Sequence, residues 1–149
     1  MVRFALSLAL GVLLAACSPP PAGQLWRTTL SNGEAASLPV VLRDETGLVT
    51  SIEPLALDPS EVGGVPSVKA DAENPSALLV TWLGGCDTDA QLGLKPSHRG
   101  TGQYELLVSS GSPSGFGGGC ATVGIGRGVR VHLSSPIPVD SITVNGAGS

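Results

Sequence analysis

Ala77-Leu78-Leu79-Val80-Thr81-Trp82-Leu83 is apolar at every position but Thr81 and carries no charge. A run of this kind reads as a central strand covered on both faces, or nearly so. Downstream, residues 128–134 alternate, with Val129, Val131 and Leu133 on one face and Arg130, His132 and Ser134 on the other. That period of two predicts a half-buried strand with a polar outer side. Further strands are expected over residues 25–31, 38–43, 48–52, 90–95, 103–109 and 141–144. Residues 31–34 form a turn with Gly33 at positive φ. Asp44-Glu45-Thr46-Gly47 reads as the loop of a hairpin between 38–43 and 48–52, with Gly47 left-handed before a bulge. Residues 55–57 continue the sheet. Residues 59–75 form a surface excursion that opens on one helical turn, with Asp58 as its cap and Pro59 at its first position.

The chain has 21 Gly and 12 Pro. After Cys17 no stretch sustains helical periodicity without a Gly or Pro interrupting it. The expected fold is therefore all-β, an immunoglobulin-like β-sandwich of seven to nine short strands with one disulfide.

At the amino end, Met1-Val2-Arg3 supplies a positive start, residues 4–16 form an apolar run, and Leu14-Ala15-Ala16-Cys17 closes it. This resembles the lipobox of bacterial lipoprotein signal peptides. The resemblance implies a thiol diacylglycerylated at Cys17, cleavage between Ala16 and Cys17, and a protein tethered outside the cytoplasm to a cell membrane or outer membrane. A spanning helix needs about 20 apolar residues, and Pro19-Pro20-Pro21 follows this shorter run at once. An ordinary secretory signal is the plainer alternative, and the Cys placed directly after Leu-Ala-Ala favours lipidation. Two acyl chains anchor stably where one is marginal.

The expected organisation is a removed signal peptide over 1–16, a lipidated Cys and Pro-rich spacer over 17–24, and one domain over 25–149. The whole chain has a net charge of −4, and losing Arg3 with the leader makes it −5. That balance excludes a strongly basic nucleic-acid surface. Residues 24–90 hold most of the acidic groups and 91–149 a basic excess, read as solvated surface. With Cys17 set aside for lipid, Cys86 and Cys120 form an even pair in an oxidising compartment. A bridge between them is worth about 3.5–4 kcal/mol on the chain-entropy model. Their spacing, with only His98 and His132 beside them, does not suit a zinc site. A redox pair would lie closer in sequence. Residues 82–87, 120–127 and the strand after Val129 look like a pattern in uncharacterised secreted or lipid-anchored bacterial proteins. That likeness implies a small disulfide-bonded sandwich with no known activity. Trp82 precedes both cysteines, which departs from antibody domains.

Candidate chemistry is sparse. Gly111-Ser112-Pro113-Ser114-Gly115 has Pro where a nucleophile elbow needs Ser. Gly124-Ile125-Gly126-Arg127-Gly128 leads into a strand where a dinucleotide fingerprint needs a helix, so these glycines serve turning or close packing. The most site-like cluster is Asp87 and Asp89, with Arg127 and Arg130 drawn near by the bridge. It is either a hard-cation or ligand site, or a turn cap plus a structural ion pair. Trp82 is expected in the core, and Trp26, soon after the spacer, could be exposed. Aromatics at 3% leave no stripe of stacking residues for carbohydrate or single strands.

These observations lead to an expected lipid-anchored extracytoplasmic binding or scaffold module of the bacterial cell envelope. It would have no chemistry, cofactor or metal of its own, and another envelope protein is its candidate partner. The alternative is a small envelope enzyme or enzyme inhibitor acting through the loop from Gly111 to Gly119, in which five of nine residues are Gly. A third reading is a calcium-dependent adhesion module.

Overall fold

In a computed structural model of the protein, residues 23–32, 36–85, 87–111 and 124–147 are described. They form nine strands: β1 (Gln24–Asn32), β2 (Ala36–Asp44), β3 (Val49–Pro54), β4 (Ser67–Ala70), β5 (Ala77–Gly84), β6 (Asp89–Pro96), β7 (Tyr104–Gly111), β8 (Ile125–Leu133) and β9 (Ile142–Ala147). Two short 3-10 turns, Pro59–Glu61 and Val139–Ser141, complete the regular structure. The strands make a five-stranded sheet in the order β1-β2-β6-β7-β9 and a four-stranded sheet in the order β3-β8-β5-β4. The fold is all-β, with two sheets enclosing one core.

The core follows from alternation. Val40, Leu42, Leu92, Leu94, Leu106 and Val108 point inward from the larger sheet, and Leu78, Val80, Trp82, Val129 and Val131 from the smaller one. β5 lies between β8 and β4, which explains its nearly continuous apolar run. Trp82 is 2% exposed, so the indole belongs to the core. Trp26 also packs against the core, half-buried. β1 lies beside β3 at one side of the two sheets and β4 beside β9 at the other.

All the strands run between the same two ends. β1 begins at the end where β2 and β6 finish and where β7 and β9 start. The turn from Asp44 to Val49 lies there too, as do Ala77 and Leu133. This is the near end. The far end gathers Asn32, Gly84, Asp89, Gly111 and Ile125.

Three expectations need correcting. The segments 38–43 and 48–52 are not a hairpin, because β2 pairs with β1 and β6 whereas β3 pairs with β8. Asp44, fully buried, causes the crossing. Its Oδ1 accepts from Thr46 N (2.8 Å), Gly47 N (3.2 Å) and Thr46 Oγ1 (2.6 Å), and its Oδ2 from Val49 N (3.0 Å). Folded around that carboxylate, the chain leaves the five-stranded sheet and enters the four-stranded one. Gly47 does adopt the left-handed conformation, at φ 71°, and the register irregularity falls against β8, between Val49 and Ser51.

Residues 55–57 form no strand. Leu55 N donates to Gly128 O (3.1 Å), and Leu55 and Leu57 then lie over Gly128, where a Cβ would collide with Leu57. The excursion over 59–75 contains β4, although its opening is as expected, with Asp58 accepting from Ser60 N at the start of Pro59–Glu61.

Candidate functional site

Arg127 lies on β8 in the inward row of Val129 and Val131, opposite Trp82 on β5. Its side chain is 5% exposed and that of Asp87 3%, with Nε 3.7 Å from Asp87 Oδ2. This is a charge–charge contact at the far end of the inter-sheet layer, longer than a hydrogen bond. Asp87 also folds back on its own turn, where its Oδ1 accepts from Gly85 N. Gly84 is required beside it, because a Cβ there would run into the Asp87 carboxylate. The pair is thus enclosed by protein.

Asp89 goes elsewhere. It opens β6 on the outward side, against Gly111, and Gln91 Nε2 donates to its Oδ2 (3.4 Å). The two acidic residues therefore do not converge on one point, and among the described residues no group of three or more His, Cys, Asp or Glu is placed to bind a metal. Cys17, Cys86, Cys120 and residues 112–119 lie outside the described residues.

Arg130 does not approach Asp87. It faces outward from the smaller sheet, where Nη1 donates to Glu53 Oε1 (2.8 Å) across the β3–β8 pair. Its Nε lies 2.8 Å from Asp71 Oδ2 in an ion pair off the line of a hydrogen bond. His132 Nε2 stands 3.3 Å from Glu53 Oε1, and its Nδ1 3.5 Å from Asn74 Nδ2. Hydrogen bonds from Arg130, then from His132, hold the Glu53 carboxyl below its ordinary range. Asp71 is lowered as well, first by the Glu73 backbone N–H and further by the Arg130 charge. The Arg130 guanidinium is raised in return, chiefly by its bond to Glu53. This network joins residues far apart in sequence, and nothing near Arg130 in the chain announces Glu53 or Asp71.

Two surface hollows also lie among the described residues. On the outer face of the larger sheet, a depression of about 420 Å³ surrounds Gly93, which has no side chain to fill it. Arg43, Gln91, Leu107 and Asn145 line it, with Lys95 and Glu105 paired at 3.2 Å on its rim. Leu107 is 45% exposed there, and Leu25 extends the same row at 45%. Hydrogen bonds from Lys95, then from Ser97, lower the Glu105 carboxyl. At the near end, a second hollow of about 550 Å³ opens between the Asp44 turn and the loop joining β6 to β7. Neither hollow is lined by Gly111.

No family model matches the chain, and no curated protein or solved structure matches it.

Proposed function

We propose that the protein is a lipid-anchored extracytoplasmic binding or scaffold module of the bacterial cell envelope, presenting the outer face of its five-stranded sheet to a protein partner. The depression around Gly93 carries this reading. Exposed Leu107 and Leu25 lie in one row with Arg43 and Asn145 across a sheet whose other face is already in the core. Apolar anchors inside a rim of matched charge suit a protein surface. The lipobox-like Leu14-Ala15-Ala16-Cys17 supports the tether, and β1 begins only seven residues after Cys17.

The finer fold belongs to the same proposal: an immunoglobulin-like sandwich in the broad sense, stapled between Cys86 and Cys120. Its two parallel pairings, β2 with β6 and β7 with β9, set its strand order apart from the antibody arrangement. In favour of the staple, Gly84 and Ile125 are register partners at the far end. Cys86 lies two residues beyond the first and Cys120 five before the second.

Metabolic labelling with a clickable palmitate tests the tether. Wild-type protein should take up label and fractionate with membranes, and Cys17→Ser should do neither. A mature chain without acyl mass at Cys17 would sink this part. For the binding face, a photo-crosslinking residue at position 107 should trap a partner in cells, with the adduct lost on Gly93→Trp. Crosslinking no stronger at position 107 than at exposed Val65, away from this face, would remove the sheet face from consideration.

A further inference from the structure

We propose that the near-end hollow is a binding site for a single neutral sugar ring. Its walls come from two places the sequence keeps apart. Thr46 and Leu48 follow the buried Asp44, and residues 96–104 bring Pro96, His98, Thr101, Gln103 and Tyr104. The parallel pairing of β2 with β6 joins them, placing Asp44 opposite Leu94.

The loop is built before any ligand arrives. Ser97 N donates to Gln103 O (2.8 Å), Gln103 N to Gly100 O (3.3 Å), and Gly102 takes φ 76° to close the turn. Ser97 Oγ is committed to Glu105 (3.1 Å), and Thr46 Oγ1 to Asp44. Among the described residues, no hydrogen bond is formed by the side chains of His98, Thr101 or Gln103, and all three are exposed at the mouth.

The chemistry narrows the ligand. No Asp, Glu, Lys or Arg lines the hollow, and the carboxylates of Asp44 and Glu105 behind it are already engaged by Thr46 and Ser97. Leu48, Pro96 and the half-buried Tyr104 offer an apolar wall, and the imidazole, hydroxyl and amide offer donors and acceptors beside it. A pyranose has the same division, with a C–H face and a rim of hydroxyls. One aromatic ring serves one sugar unit, which is consistent with a chain that has no stacking stripe. At about 550 Å³ the hollow falls inside the usual range for small-molecule sites. The proposal stands independently of the lipid tether and of the sheet-face partner.

Tyr104 is the chain's only tyrosine, so selective ¹³C labelling of tyrosine gives one reporter inside the site. Full-length protein in a sugar-free detergent is titrated with glucose and with N-acetylglucosamine, and with glycerol as a control. At least one sugar should shift the ring signal saturably with a half-point of about 1–10 mM, and glycerol should not. Thr101→Ala with Gln103→Ala alters only exposed loop side chains and should weaken binding about 10-fold, the loss of roughly two neutral hydrogen bonds. A ring signal unmoved by either sugar at about 100 mM, a drift that glycerol reproduces, or a double variant that titrates like wild type would each overturn the proposal.

Discussion

Arg127 and Arg130 stand on the same strand and live in different surroundings. Arg127 points between the sheets, where it and Asp87 are almost fully enclosed. Arg130 points outward and divides itself between Glu53 and Asp71, with Glu53 46% exposed. Alternation along β8 decides which is which, since side chains three apart on a strand face opposite ways. The difference matters energetically. A buried ion pair gains strong attraction at a heavy desolvation cost, so losing one partner strands the other charge. An outer network shares its charges with water and salt, which weakens each contact.

The interior pair should give the larger effect. Asp87→Ala removes a carboxylate from beside the enclosed Arg127 guanidinium, and is expected to cost about 3–5 kcal/mol in urea unfolding. Asp87→Leu combined with Arg127→Met removes both charges and should recover most of that loss. A single variant costing below about 1 kcal/mol would mean that Asp87 adds little to what holds Arg127 in the interior, and the contrast with Arg130 would collapse.

Cys86 adjoins Asp87, so the proposed bridge sharpens the same comparison. Cys86→Ser with Cys120→Ser should lower stability by about 2–4 kcal/mol while the β spectrum persists. The Asp87→Ala penalty should also shrink in that background, because residue 87 then loses the anchor beside it. The outer network, on the opposite face of β8, should respond to Glu53→Gln as before. Native protein whose two thiols both label without reductant has no such bridge.

How far the sequence reaches is visible at β8 and β2. The alternation of Val129, Val131 and Leu133 is plain, and extended two residues back it puts Arg127 inward, although Gly126 and Gly128 interrupt the pattern for the eye. The apolar run of β5 is equally legible, because a strand between two neighbours needs apolar groups on both sides. β4 is not legible. Four residues at an edge, including exposed Lys69 and Ala70, carry no pattern. The Asp44 turn is ambiguous in principle, since the same Asp-x-x-Gly stretch serves a hairpin or a crossing between sheets, and only the long-range pairing of β3 with β8 separates them. The near-end hollow stayed hidden for the same reason, since its two walls meet only through the β2–β6 pairing. Arg130 reaches Glu53 across 77 positions, a contact local reading cannot supply.

The smallest effect belongs to that outer network, and its signature is a dependence on pH and salt. Glu53 and Asp71 are held below their ordinary values by Arg130, His132 and the Glu73 backbone N–H. A carboxyl lowered on folding contributes stability that is present in full above its unfolded value, about 4, and is lost as pH falls through the lower folded value. Stability measured from pH 6 downward should therefore begin to fall near pH 4 in wild type. Glu53→Gln cannot take up a proton and should flatten that fall by one carboxyl's share, while changing stability at pH 7 far less than Asp87→Ala does. Raising salt should narrow the gap between wild type and Glu53→Gln, because Glu53 is half in water, and should leave the Asp87→Ala gap nearly unchanged. Equal salt sensitivity in the two variants would place both arginines in the same environment, and the distinction drawn along β8 would fail.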